Sequence, residues 1–477
     1  MTASSQLRRQ AVQGGAYLAV RQLVGTLLRA GGLLVLTRLL GPTEFGRYAG
    51  PMAITTVACA IARLGVEVYL IRRPVEPEKR VEDQAFTVLL LSTTLATAIV
   101  FAGSSLIGHW VGDPKVGDVV RVMALTIPIN VMWVPAQARL ERALRYRELG
   151  AIELSGDVVL YVASIAIALF RPTAWAPVAG YACWQSWLLV SSYVAARYRP
   201  RLVWHRDDLK DILGYGLTYA PTGWCYRFQD LINPLIVGRY LGSSGVGKTA
   251  LVLRLVDSLN LVGTATARLA QVVFARIQDD LERLRQAHRE TMLVETIGVV
   301  VPLAAFALVA ATIIPAAFGQ RWEGVLVVFP LVAFETSVDT LFALHARILS
   351  VKRRNLAVLR SRAVELALFV GTAMLTLPHF GLIGFGMAGV ASLASYALID
   401  RSIRSMFAPD YWPSVPWLLA AIPAVSAPWL PQWCAPILAV PLVVLLLRRK
   451  SRRLFLDLLA IARSNRIESD ERAVAEP

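Results

Sequence analysis

Long apolar runs separated by short basic loops constrain this chain more than any other feature. The runs recur along nearly all of the 477 residues, of which 56% are hydrophobic and only 17% are charged. A run of about 20 apolar residues is long enough to cross the hydrocarbon core of a bilayer as a helix. The pattern predicts an all-α polytopic membrane protein, with no soluble stretch long enough to fold as a separate domain.

About fourteen transmembrane helices are predicted from these runs, because a helix of about 17–25 residues can cross the membrane. They fall into two groups of six, followed by two shorter, proline-rich spans at 416–430 and 434–447. The first group covers 17–40, 47–71, 85–108, 119–139, 151–170 and 177–196. The second group covers 212–241, 247–270, 291–317, 324–348, 362–378 and 384–400.

The net charge of +16 comes from basic clusters in alternate loops, such as Arg142, Arg145 and Arg147. Cytoplasmic loops of membrane proteins carry the excess of Lys and Arg, so both termini are predicted to be cytoplasmic. Basic loops explain the charge without a nucleic-acid partner, and anionic membrane lipids are the expected contacts. The four cysteines stand singly, which predicts neither a metal site nor a disulfide framework.

An internal repeat joins the two groups of helices. Residues 40–49 and 241–250 share Leu-Gly, four residues, Gly and a basic residue, one residue, and Ala. Gly180 and Gly389 match at the start of the sixth and twelfth spans. Because six spans return the chain to the same side, the repeat predicts two parallel lobes around a central cavity. The predicted parts are an N-terminal lobe (1–204), a C-terminal lobe (205–405), two additional helices (406–447) and a basic, partly disordered cytoplasmic tail (448–477).

Residues 242–249 also match a phosphate-loop pattern, Gly-x4-Gly-Lys-Thr, which binds nucleotides when it joins a strand to a helix. Its twin at 41–48 has the same glycines but ends in Tyr48 where Thr249 stands. Both copies are predicted to lie in tight turns between membrane helices, on the outer side. The sequence therefore predicts no ATP site and no cofactor.

Several motifs resemble the polysaccharide-transporter branch of the MOP (multidrug/oligosaccharidyl-lipid/polysaccharide) flippase superfamily. They are residues 37–49 (Thr-Arg-Leu-Leu-Gly-Pro-Thr-Glu-Phe-Gly-Arg-Tyr-Ala), 64–66 (Leu-Gly-Val) and 70–73 (Leu-Ile-Arg-Arg), with Leu241-Gly242, Ala250 and Arg254 in the second half. Such proteins move undecaprenyl-pyrophosphate-linked oligosaccharides across the bacterial cytoplasmic membrane by alternating access. Lys248-Thr249 departs from the pattern, because relatives commonly carry an aromatic residue there.

The resemblance implies a multi-pass flippase of polysaccharide or lipopolysaccharide biosynthesis that is not an enzyme. It also implies a lipid-linked oligosaccharide as substrate and H⁺ or Na⁺ as coupling ion. Polysaccharide polymerase and glycosyltransferases are the implied protein partners. Two alternatives stay open: a multidrug or metabolite exporter of the same superfamily, and a membrane-embedded glycosyltransferase or polymerase. Short outer loops disfavour the enzyme, and arginine-rich helices favour an anionic lipid over cationic drugs.

Arginines inside the predicted spans are the candidate binding residues. An ionisable group at mid-bilayer costs about 2.5–3.5 kcal/mol on insertion scales. The guanidinium fork is suited to phosphate, because it makes two charge-assisted hydrogen bonds. We therefore expect Arg29, Arg63, Arg227 and Arg254 to line a central cationic cavity that holds the substrate pyrophosphate.

Acidic residues supply both an alternative to this hypothesis and a candidate coupling site. Spacing at i,i+3 would also let Asp230 pair with Arg227 and Asp257 with Arg254. Two further pairs share helix faces at i,i+4 and suit a proton or cation: Glu153 with Asp157, and Glu335 with Asp339. Hydrogen bonding to neighbouring helices is the alternative for these carboxylates. The five histidines are isolated in the sequence and receive no role.

Overall fold

A computed structural model of the chain describes residues 3–72 and 78–448, with side chains from residue 24 onward apart from a few positions in 219–226 and 261–272. These residues are almost entirely helical, and no strand is assigned among them. The predicted tail at 448–477 lies outside the described residues except for Arg448. The α-helices in chain order are α1 (Ala3–Ala62), α2 (Val66–Arg72), α3 (Lys79–Val111), α4 (Pro114–Ala124), α5 (Thr126–Met132), α6 (Val134–Arg142), α7 (Tyr146–Phe170), α8 (Trp175–Ala196), α9 (Arg206–Phe228), α10 (Gly238–Leu259), α11 (Leu261–Arg276), α12 (Leu281–Phe318), α13 (Gly324–Val351), α14 (Asn355–Phe380), α15 (Leu382–Ser392), α16 (Tyr396–Arg404), α17 (Val415–Val425) and α18 (Ala435–Leu447).

Helices that could span a membrane occur along the whole described part of the chain. Eight helices there are long and apolar enough to cross a membrane, and a ninth is added if Gln229–Leu259 and Val262–Arg276, bent by 59°, form one span. Two shorter apolar helices, Val415–Trp429 and Gln432–Leu447, occupy the predicted last two spans. The chain is a multi-pass helical membrane protein, as the sequence predicts, while the number fourteen stays a prediction.

Glycine breaks the backbone at corresponding positions of the two repeat copies. Gly41 in α1 has φ 69° and ψ 175°, and Gly242 in α10 has φ 63° and ψ −169°. A positive φ is accessible to glycine at little cost because it has no Cβ. The helix axis therefore breaks where the sequence predicts the turns. In the first copy, α1 contains the predicted first span and most of the second, which ends in α2.

Proline accompanies a second kind of break. After α9 ends at Phe228, the chain passes through a 3₁₀ turn (Gln229–Leu231) and a π-helical segment (Asn233–Val237) that contains Pro234. Proline removes one backbone donor and crowds the preceding turn, so it commonly interrupts a helix. The predicted seventh span, 212–241, is therefore interrupted in its second half, next to this proline.

Contacts between helices divide the chain into two compact units. The first unit comprises Met1–Ala250 with Ala317–Trp322, and the second comprises Leu251–Ala316 with Glu323–Pro477. Each unit has its own apolar core. The core of the first includes Val66, Leu70, Leu89, Ile127 and Val131. The core of the second includes Phe274, Leu344, Ile348, Ile399 and Ile403.

Candidate functional site

A polar cavity of about 280 Å³ lies within the first unit, among α1, α5, α7 and α8. Ligand pockets usually begin at about 300 Å³ and combine apolar walls with a few placed polar groups. This cavity, called the arginine cavity below, can hold one small polar group. The residues that line it are Gly25, Arg29, Arg63, Asn130, Trp133, Glu153, Leu154, Asp157, Trp184, Gln185 and Leu188.

A salt bridge between α1 and α7 forms one side of the arginine cavity. Nη1 of Arg29 lies 2.7 Å from Oδ2 of Asp157, although the residues are 128 positions apart in sequence. The Asp157 side chain is 10% exposed and that of Arg29 is 45% exposed. Arginine has five N–H donors, so this bond leaves Arg29 with donors for a further anionic group. Asp157, predicted as a coupling carboxylate, is thus placed beside an arginine predicted to bind phosphate.

Arg63, just beyond the end of α1, is held by longer contacts. Its Nη1 lies 3.2 Å from Oε2 of Glu67, and its Nη2 lies 3.4 Å from Oδ1 of Asn130. The amide of Asn130 in turn donates to the hydroxyl of Tyr181 at 2.8 Å. The Nε atom of Arg63 is buried and has no hydrogen-bond partner. The guanidinium group is therefore oriented but not fully hydrogen-bonded.

The other two predicted arginines do not line the arginine cavity. Arg227 and Asp230 are both exposed, and Nη1 lies 3.5 Å from Oδ2. The ion pair predicted from their i,i+3 spacing is confirmed. Arg254 and Asp257 are exposed on α10 and belong to the second unit. A role of these four residues in substrate binding stays a prediction.

Three carboxylates on α12 and α13 lie in the second unit, of which Glu295 is buried and Glu335 and Asp339 are half-buried. The hydroxyl of Tyr396 donates to Oδ1 of Asp339. Glu335 packs against Gly389, where a Cβ atom would lie only 2.0 Å from Oε2. Glu295 on α12 interacts electrostatically with Asp339, and its buried Oε2 has no hydrogen-bond partner. Glu295 is absent from the sequence-based candidates, although a lone carboxylate in an apolar run could have indicated it. Ion coupling by Glu335 and Asp339 stays a prediction.

Two of the histidines that are isolated in the sequence meet in the structure. His288 and His345 are fully buried in the second unit, and their ring centroids lie 4.8 Å apart. His345 Nε2 also lies 2.8 Å from the hydroxyl of Tyr411. The three residues are far apart in sequence, so no local pattern could have grouped them.

The two repeat turns pack directly against each other within the first unit. A Cβ atom on Gly46 would lie 1.7 Å from the carbonyl oxygen of Ser243, and one on Gly247 would lie 2.0 Å from that of Pro42. The resemblance to a phosphate loop therefore reflects close packing of two backbones. Thr249, whose hydroxyl would bind Mg²⁺ in a phosphate loop, is fully buried and bonds within the protein instead.

We expect purified protein to bind neither ATP nor GTP, because residues 242–249 lie in a broken helix rather than between a strand and a helix. Equilibrium dialysis with labelled nucleotide checks this, with Lys248→Ala as the matched variant. Saturable binding that disappears in Lys248→Ala would contradict the interpretation.

A polar network fixes the packed turns. Nε of Arg47 donates to Oδ2 of Asp113 at 2.7 Å, and the hydroxyl of Ser243 donates to the same oxygen at 2.8 Å. Arg47 also pairs with Glu44, whose second carboxylate oxygen accepts from the backbone N–H of Ala174 at 2.8 Å. These contacts, called the turn network below, connect the first repeat turn with the second turn and with two neighbouring loops.

Asp113 makes the stability of the turn network depend on pH. Asp113 lies between α3 and α4, outside the membrane-spanning helices. Partial burial alone would raise its pKa, but the hydrogen bonds from Arg47 and Ser243 and the charge of Arg47 hold the pKa below its usual range. The stabilisation is therefore complete above the unfolded-state pKa of about 3.9 and is lost as the pH falls through the lower folded-state pKa.

We expect Asp113→Asn to melt at a lower temperature than the wild type at pH 7, and the difference to narrow as the pH falls towards 3. Thermal unfolding of detergent-purified protein across this range measures both effects. Asp118→Asn, which changes an exposed residue on α4, serves as a control. Its melting temperature should match that of the wild type at every pH. A difference for Asp113→Asn that stays constant down to pH 3 would contradict the assignment.

Sequence comparison identifies relatives in polysaccharide biosynthesis. The family described as polysaccharide biosynthesis protein matches residues 35–327. The lipopolysaccharide biosynthesis protein WzxC of Escherichia coli (strain K12) is 23% identical over 68% of this chain and 66% of its own length. The teichuronic acid biosynthesis protein TuaB of Bacillus subtilis (strain 168) is 20% identical over 82% of this chain and 80% of its own length. The family match confirms the resemblance that the motifs indicate.

Solved structures show the same fold at low sequence identity. The lipid II flippase MurJ in an inward closed conformation superposes with a TM-score of 0.72 at 9% identity, over 92% of this chain and 99% of that one. A multidrug resistance MATE family transporter of the MOP superfamily, in an inward-facing conformation, superposes with a TM-score of 0.59 at 16% identity. The match covers 81% of this chain and 98% of that one. The helices therefore adopt the fold of MOP-superfamily transporters.

Proposed function

The chain belongs to the polysaccharide biosynthesis protein family, and from this premise we propose that it is a flippase for a lipid-linked oligosaccharide. It moves the undecaprenyl-pyrophosphate-linked precursor across the bacterial cytoplasmic membrane by alternating access. The observation that carries the proposal is the arginine cavity, which joins two guanidinium groups inside a membrane protein with the fold of a lipid II flippase. No covalent chemistry is required of the protein.

The arginines act by exchanging partners. The cavity lining contains Arg29 and Arg63 together with Glu153 and Asp157, so its formal charges sum to 2 − 2 = 0. A pyrophosphate takes over donors of Arg29 and Arg63 that now face Asp157, Glu67 and Asn130. The bonds of Arg63 to Glu67 and Asn130 are long, at 3.2 and 3.4 Å, so shorter charge-assisted bonds to phosphate can replace them. Balanced charges also keep the empty cavity stable in the membrane.

The packed repeat turns close one end of the transporter in this proposal. Alternating access requires that each side of the membrane be sealed in turn, and the turn network supplies specific contacts that can break and re-form. With both termini in the cytoplasm, these turns lie on the outer side. The two six-helix lobes, 1–204 and 205–405, would then move against each other, with H⁺ or Na⁺ binding at Glu335 and Asp339 as the energy source.

Deletion of the gene tests the proposal in the cell. We expect the lipid-linked oligosaccharide to accumulate and surface polysaccharide to fall, with glycosyltransferases and polymerase intact. Mass spectrometry of extracted lipids identifies the accumulated precursor. If no precursor accumulates and sensitivity to cationic drugs rises instead, the exporter alternative replaces this proposal.

A further inference from the structure

The seventh predicted span, 212–241, is held near both of its ends by contacts within the first unit. Near its start, a Cβ atom on Gly216 would lie 2.0 Å from the carbonyl oxygen of Leu64. This contact is called the α2 contact below, because Leu64 lies just before α2. Just beyond the end of the span, Gly46 and Ser243 pack in the repeat turns, and this is called the turn contact. Gly46 and Leu64 are 64 − 46 = 18 residues apart, about 27 Å along a helix, so the two contacts are well separated.

The α2 contact joins two backbones and a cluster of apolar side chains. Leu64 and Gly65 both have a positive φ, at 47° and 71°, and they separate α1 from α2. A positive φ is uncommon for leucine, so its surroundings must hold this bend in place. Ile212 is fully buried in the core of the first unit, and the ring centroids of Tyr215 and Tyr69 lie 5.9 Å apart. The start of α9 is therefore packed into the core of the first unit.

Between the two contacts, the seventh span is not a continuous α-helix. It passes through the 3₁₀ turn Gln229–Leu231 and the π-helical segment Asn233–Val237. Such segments inside a long helix often mark a hinge. The ion pair between Arg227 and Asp230 is exposed and 3.5 Å long, so it holds the break weakly. The part of the span that makes the α2 contact can therefore change its angle to the part next to the turn contact.

We propose that the seventh span is a two-ended latch, which bends at 229–237 and releases the α2 contact and the turn contact alternately. The inference rests on the proposed function, in which the repeat turns close one end of the transporter, and it adds a second seal and the hinge between the two. Both contacts are formed in the structure, so the latch is closed at both ends. Each contact places a backbone carbonyl against a glycine, which fixes one closed geometry to which the latch returns.

Reversible cross-links across each contact test the latch in the full-length protein with its four native cysteines replaced by alanine. Tyr69→Cys with Tyr215→Cys bridges the α2 contact. Asp113→Cys with Ser243→Cys bridges the turn contact, where the Ser243 hydroxyl lies 2.8 Å from Oδ2 of Asp113. A short bifunctional thiosulfonate joins each pair, and a reductant releases it. We expect either cross-link to slow the exchange of a fluorescent lipid-linked oligosaccharide between the leaflets of proteoliposomes by about tenfold or more, because both seals must open in each cycle. Reductant should restore the rate.

Hydrogen–deuterium exchange without substrate tests the latch independently of transport. With the α2 contact cross-linked, residues 242–249 should take up deuterium faster than before, because the remaining conformations shift towards open turns. Cross-linking the turn contact should have the converse effect on residues 212–218. Uptake that neither cross-link changes would show that the two contacts do not open alternately.

A control cross-link joins two neighbouring helices that the latch does not separate. Ser155→Cys with Trp187→Cys bridges α7 and α8, where Nε1 of Trp187 donates to the Ser155 hydroxyl at 2.9 Å, and it should change neither deuterium uptake nor transport. If the Tyr69 pair does not fold, Ala60→Cys with Trp224→Cys bridges the same end, because Nε1 of Trp224 donates to the carbonyl oxygen of Ala60 at 3.2 Å. Unchanged transport with both contacts cross-linked overturns the latch and leaves the flippase proposal intact. Protein that exchanges no lipid without a cross-link overturns the flippase proposal, and deuterium uptake then still decides the latch.

Discussion

Arg29→Ala is expected to reduce translocation of the lipid-linked substrate by about 10- to 100-fold, the effect of losing a charge-assisted hydrogen bond worth about 1.5–3 kcal/mol. The substitution removes a hydrogen-bond donor to phosphate and leaves the carboxylate of Asp157 without its partner Arg29. The formal charge of the cavity lining falls from 0 to 1 − 2 = −1, which repels an anionic pyrophosphate. Export of surface polysaccharide by a deletion strain carrying the variant, at verified expression, measures the effect.

A double variant tests whether the loss of transport comes from the changed charge of the arginine cavity. Arg29→Ala combined with Asp157→Asn returns the formal charge of the lining to 1 − 1 = 0, and we expect it to recover part of the lost transport. Arg29→Lys keeps the charge but loses the planar fork, so it should fall between the wild type and Arg29→Ala. Full transport by Arg29→Ala, or no recovery in the double variant, would show that the salt bridge is only structural.

Gly46→Ala is expected to have the largest effect on stability. Its Cβ would lie 1.7 Å from the backbone carbonyl oxygen of Ser243, and neither backbone can move without separating the two repeat turns. Overpacking costs about 1–3 kcal/mol where side chains can adjust, and a clash between backbones exceeds the upper end of this range. We expect a strongly lowered melting temperature or loss of folded protein during purification.

Gly31→Ala provides the matched control on the same helix, because nothing lies within 4 Å of a Cβ built there. Alanine is favoured over glycine in a helix by about 0.5–1 kcal/mol, so this variant should equal or slightly exceed the wild type in stability. A melting temperature for Gly46→Ala as high as that for Gly31→Ala would mean that the turns do not pack as described.

Local sequence patterns predicted the features that depend on backbone conformation. Gly41 and Gly242 have a positive φ and break their helices at the two predicted turns. The Arg227–Asp230 pair followed from i,i+3 spacing on one helix. Apolar length alone indicated a multi-pass membrane protein. These features are all encoded within a few neighbouring residues.

Contacts between distant helices could not be predicted in the same way. Periodicity shows which residues share a face but not which helix that face meets. Arg29 pairs with Asp157 on α7, and His288 meets His345, although neither pair is close in sequence. The cavity therefore emerged only from tertiary structure.

Translocation by purified protein is the most direct test of the flippase assignment. Proteoliposomes containing a fluorescent undecaprenyl-pyrophosphate-linked oligosaccharide are treated with a membrane-impermeant agent that quenches only the outer leaflet. We expect the wild type to exchange this lipid between leaflets far faster than protein-free liposomes do, and Arg29→Ala or Arg63→Ala to accelerate the exchange little. Exchange no faster than in protein-free liposomes, with folded wild-type protein, would contradict the flippase assignment.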